Sequence, residues 1–99
     1  MERYLKIRER LNNKLKKFPK NYEQGFNDGI NTAKDVVSEF QKRYALKLET
    51  WHKSNFAYDV LQENLSKMLV KHPTNKEQAF NNGLLTAKSV VKDVFEMMD

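Results

Sequence analysis

Apolar residues return at helical intervals along nearly the whole chain. From Tyr4 they fall at Ile7, Leu11, Leu15 and Phe18, a 3-4-4-3 spacing that gathers them on one side of a helix. This predicts a first helix from about Glu2 to Lys17, ended by Pro19 because the residue before a proline is pushed out of the helical region. A second helix starts at Asn21 with Gln24 three residues on, the form of a capping box in which each side chain satisfies an otherwise orphaned backbone N–H. Its apolar stripe is Phe26, Ile30, Ala33, Val37, Phe40 and Tyr44, close to the spacing of a coiled-coil seam. A third helix, about Phe56 to Lys71, carries Tyr58, Leu61, Leu65 and Leu69. A fourth, opened by Asn75 and Gln78, carries Phe80, Leu84, Ala87, Val91, Val94 and Met98.

The last two helices repeat the first two. Residues 19–37 return as residues 73–91, 54 positions later, with 12 of 19 identical. A fixed offset of this kind means one supersecondary unit used twice. The repeats are 1–54 and 55–99, and they share a single domain, since so short a chain buries only ~60–68% of its extended surface and supports one core. Beside each seam run small residues four apart, Gly25, Gly29 and Ala33, matched by Ala79, Gly83 and Ala87. A mid-helix glycine costs ~1 kcal/mol against alanine. A close crossing of the second and fourth helices, where a larger side chain would collide, is the simplest compensation. A phosphate-binding loop is the rival explanation, but these glycines sit inside a capped amphipathic helix rather than before one.

Two backbone arrangements fit this pattern, because neither Gly nor Pro occurs between Ile30 and His72. In the first, the second helix closes near Leu48 and the chain loops at 50–55. The fold is then all-α: two tandem α-hairpins related by an internal pseudo-twofold, packed as an antiparallel four-helix bundle. In the second, residues 22–71 form one helix of ~75 Å, with a short helix folded back at each end and a partner chain completing the core. The first is adopted, since uninterrupted helices beyond ~25 residues are unusual in small domains.

Composition narrows the setting. Hydrophobic residues are 39% of the chain, below the usual ~45–50%, which suits a well-solvated helical protein or one that completes its core with another copy. The absence of cysteine removes disulfides, thiolate metal sites and thiol chemistry, and points to a reducing, cytoplasmic location. The first residues lack the apolar region of a signal peptide. No apolar run approaches the ~18 residues that would span a bilayer, so no transmembrane segment is expected. Lysines outnumber arginines fourteen to four and there are ten asparagines, a bias of A+T-rich genomes that fits an accessory protein of phages or mobile elements.

The net charge of +5 is concentrated at one end of the sequence: residues 1–20 carry +6, residues 21–54 carry 0 and residues 55–99 carry −1. Arg3, Lys6, Arg10, Lys14 and Lys17 form a stripe beside the apolar side of the first helix. This is a candidate face for an acidic protein or for nucleic acid, although a solvated flank whose lysine stems cover the core edge explains it equally well. In the second copy the stripe becomes Ala57, Val60, Asn64, Met68 and Lys71, while Asn31 is replaced by Leu85 and Gln41 by Phe95. Val60, Met68, Leu85 and Phe95 are therefore the candidate face for self-association or for a partner.

No catalytic, metal or cofactor motif is present. His52 and His72 stand at unrelated phases, and Glu23, Asn27 and Lys34, which recur as Glu77, Asn81 and Lys88, are as well explained by side-chain bonds along a helix surface as by a binding strip. The function expected is a non-enzymatic helical protein–protein interaction module, adaptor- or inhibitor-like and homodimeric. A nucleic-acid-binding accessory protein using the basic first helix is the alternative. A third reading is a small basic protein at a membrane surface, which resembles the immunity proteins of bacteriocin producers in size, charge and helix count alone.

Overall fold

Residues 2–50 and 56–98 are described by the computed structural model, with side chains described for these except 2, 22, 44–50, 56–57 and 98. All regular structure among them is helical: α1 (Glu2–Lys14), α2 (Asn21–Thr50), α3 (Phe56–Ser66) and α4 (Asn75–Met98). Residues 51–55, where the sequence leaves open a loop or a continuous helix, lie outside the described residues. The single long helix is nevertheless excluded. Its ~75 Å is about twice the largest extent of the chain, 39 Å.

The long helices open one residue earlier than the Asn–Gln pairs suggest. The Lys20 carbonyl accepts the first helical bonds of α2, from the N–H groups of Glu23 and Gln24 at 2.8 and 3.1 Å, which makes Lys20 the N-cap. Its own N–H donates to Glu23 Oε1 at 3.1 Å. In the second copy Thr74 N–H donates to Glu77 Oε1 at 3.0 Å and Glu77 N–H donates back to Thr74 Oγ1 at 3.4 Å. The reciprocal capping box is thus Thr74–Glu77, and the first copy keeps its glutamate half only. Glutamate wins over the glutamine one position later because an ionised carboxylate at a helix N-terminus also meets the positive end of the helix dipole.

Both short helices stop sooner than the periodicity predicts, α1 at Lys14 instead of Lys17 and α3 at Ser66 instead of Lys71. The chain leaves each helix through turn bonds, Leu15 N–H to the Asn12 carbonyl and Met68 and Leu69 N–H to the Leu65 and Ser66 carbonyls, and the backbone just beyond is held by an asparagine from the following long helix. Asn27 accepts from Lys16 N–H at 2.9 Å and donates to Lys16 C=O at 3.0 Å. Asn81 does the same to Val70 at 2.8 and 3.0 Å. With those groups satisfied off the helix, the chain loses nothing by leaving it.

Contacts along α1 and α2 pair low numbers with high ones, Tyr4 Oη with Ser38 Oγ at 3.0 Å and Lys16 Nζ with Glu23 at 3.5 Å. Gln62 donates to the Lys88 carbonyl at 2.9 Å, and the Asn81 clamp on Val70 completes the same sense for α3 and α4. Between α2 and α4 the numbers rise together. A Cβ built on Gly25 would lie 3.2 Å from Ala79 Cβ, and one on Gly29 would lie 3.0 Å from Gly83 Cα and would run into the Phe80 carbonyl. The two long helices therefore start at the same end and touch along their first turns. Each short helix lies against both long ones, and α1 and α3 do not meet among the described residues. The core is the junction: Ile30, Val37 and Phe40 of α2, Leu84, Val91, Val94 and Phe95 of α4, Ile7 and Leu11 of α1, and Leu61 and Leu65 of α3 are all buried.

Candidate functional site

The five small positions of the crossing beyond Gly25 fall where the two long helices approach. Gly29 and Gly83 stand opposite each other, the Gly83 Cβ direction blocked by the Phe26 carbonyl. Ala33 and Ala87 are fully buried in the core, and Ala79 faces Gly25.

The basic stripe is not one surface. Arg3 is 3% exposed and its guanidinium lies 4.5 Å from the centre of the Phe95 ring, a buried cation–π contact that withdraws it from any partner. Lys17 falls beyond the end of α1. Lys6, Arg10 and Lys14 remain together, lining a groove of about 440 Å³ between α1 and α4 with Val90, Glu9 and Asp93. Arg10 Nη2 also donates to the Met97 sulfur at 2.9 Å.

The apolar face is not one surface either. Phe95 is completely buried, edge-on to Tyr58 with ring centres 5.2 Å apart. Its place as an exposed counterpart of Gln41 is therefore corrected: Gln41 is itself 7% exposed, so the position is interior in both copies. Leu85 is 48% exposed and shares a shallow groove with Tyr58 and Gln62, on the other side of α3 from Val60 and Met68.

Val60 and Met68 line the larger groove, about 730 Å³ between α2 and α3, with Val36 and Phe40 opposite and Asp35, Glu39, Arg43 and Lys67 along its edges. Shifted by 54 positions, Val36, Glu39, Val60, Asn64, Lys67 and Met68 are Val90, Asp93, Lys6, Arg10, Asn13 and Lys14, six of the residues around the α1/α4 groove. The two grooves occupy equivalent places. Both are open, but the smaller is lined by long basic side chains and the larger by apolar residues. Val90 is accordingly 5% exposed, whereas its counterpart Val36 is only partly buried.

Sequence reasoning overlooked Val36, Phe40, Asp35 and Glu39 as groove residues. The offset gives no signal for them at Val36 and Glu39, whose counterparts are Val90 and Asp93. Glu23, Asn27, Glu77 and Asn81 prove to be cap and clamp residues. The Lys20 N–H holds the Glu23 carboxyl below its ordinary pKa, with the Lys16 ammonium adding to the effect and partial burial opposing it. Lys88 donates to Ser66 Oγ at 2.6 Å. His72 is exposed with φ 56°, and His52 lies outside the described residues. Among the described residues no three His, Cys, Asp or Glu side chains gather as a metal-binding group, and no helix is long and apolar enough to cross a membrane. Compared with family models, curated proteins and solved structures, the chain matches none of them.

Proposed function

We propose that the protein is a non-enzymatic helical interaction module, built from a duplicated α-hairpin, whose working surface is the α2/α3 groove. The observation that carries this reading is the contrast between equivalent grooves. Where Lys6 and Lys14 line the smaller one with charge, Val60 and Met68 make the larger an apolar trough with charged edges. A trough of that form takes the apolar face of an amphipathic helix, with Asp35, Glu39, Arg43 and Lys67 setting its orientation. The partner proposed is a second copy of the chain, joined about a twofold axis so that the same groove is used twice. A nucleic-acid role for α1 has less support, because Glu9 and Asp93 stand among the three basic residues left together there.

Sedimentation equilibrium tests the reading on the wild type and on a Val60→Lys, Met68→Lys variant, which places in the apolar groove the residues found at the equivalent positions of the basic one. The expected result is a wild-type mass near twice 11.7 kDa and a monomeric variant with unchanged melting temperature. Wild-type and variant masses both at the monomer value would refute self-association through this groove.

A further inference from the structure

The loop between α1 and α2 presents an aromatic ring where the helical pattern places a core residue. Because α1 stops at Lys14, Phe18 leaves the apolar stripe and is 93% exposed. Its segment, residues 14–20, holds four lysines and no acidic residue. The loop is fixed on both sides of the ring, by Asn27 at Lys16 and by the Glu23 carboxylate at Lys20, while Leu15 packs against the core. Phe18 is thus held outward rather than left free to fold back. Lys71 and Lys76 are exposed at the same end, where α2 and α4 begin side by side with the positive ends of their dipoles met by the Glu23 and Glu77 carboxylates.

We propose that this end of the molecule docks on an anionic phospholipid surface, with Phe18 entering the headgroup layer and the surrounding lysines facing lipid phosphates and carboxylates. The surface is distinct from the α2/α3 groove. A projecting ring among cations fits a flat, anionic, apolar-cored partner. Single-stranded nucleic acid instead calls for a basic groove with successive stacking platforms, and the cleft beside this loop is edged by Asp28 and Glu77.

Vesicle co-sedimentation with the full chain is the test, comparing phosphatidylcholine alone with phosphatidylcholine containing phosphatidylserine. Binding is expected only to the anionic vesicles and is expected to fall with added salt. Replacing Lys17 and Lys20 by Gln should weaken it by roughly 25-fold, about fivefold for each lysine. Phe18→Ser should weaken it about tenfold or more with the melting temperature unchanged, since the ring makes no core contact to lose. No binding to anionic vesicles, or full binding by Phe18→Ser, would overturn the proposal. So would binding of a single-stranded oligonucleotide by a protein that ignores the vesicles.

Discussion

At the scale of single residues, the fold turns on positions where an atom more or less decides whether two backbones can touch. Gly29 and Gly83 are such positions, because each Cβ would meet backbone of the other long helix, which cannot rotate away as a side chain would. Gly29→Ala and Gly83→Ala should each gain ~1 kcal/mol of helix propensity and lose more to overpacking, which costs typically ~1–3 kcal/mol. A net destabilisation of up to about 2 kcal/mol in urea unfolding is expected, and the same change at Gly25, whose Cβ would stand 2.8 Å from the Lys76 carbonyl, a looser approach than at either other glycine, should cost less. The glycines were legible in the sequence because an unfavourable residue used twice at one register calls for a reason. Arg3 and Phe95 were not legible. Periodicity gives each residue an angle around its helix, but only the neighbouring helix determines whether that angle opens on solvent or on an aromatic ring.

At the scale of elements, the lengths of the short helices are set from outside them. The apolar phase of α1 runs on to Phe18, yet Asn27 captures both backbone groups of Lys16 and the helix ends two residues before it. Asn81 repeats the device at Val70. Asn81→Ala should cost ~1–3 kcal/mol, since it strands a partly buried N–H and C=O, and Asn27→Ala should cost less because its loop reaches water. Amide hydrogen exchange should show lost protection at Val70 and Lys16 respectively, with the core of α4 unchanged. Equal stability in both variants and wild type would count against the clamp. The recurrence of Glu23 and Asn27 as Glu77 and Asn81 marked these residues as meaningful. Their partners lie 3 and 11 positions away in the preceding loop, however, and helix-surface spacing does not reach there.

At the scale of the whole molecule, the second copy departs from the first in two directions at once. Phe95 fills the interior, edge-on to Tyr58 and beneath the Arg3 guanidinium, while Val60 and Met68 give an apolar lining to a groove whose counterpart is lined by lysines. Phe95→Ala should therefore behave as a core truncation, losing ~3–5 kcal/mol in thermal or urea melts. A loss below ~1 kcal/mol would remove Phe95 from the core. The sequence by itself determined the helical class, the apolar side of each helical stretch and the recurrence of residues 19–37 at 73–91 with its paired glycines, because these depend on spacing along one chain and on chemistry that is local to a turn. Only the tertiary structure decided that the chain folds back instead of running as one long helix, where α1 and α3 end, that Arg3 and Phe95 turn inward while Phe18 turns out, and that the substituted positions line two equivalent grooves, one basic and one apolar. Those outcomes depend on which atoms of other helices stand opposite, and a one-dimensional pattern carries no distance between them.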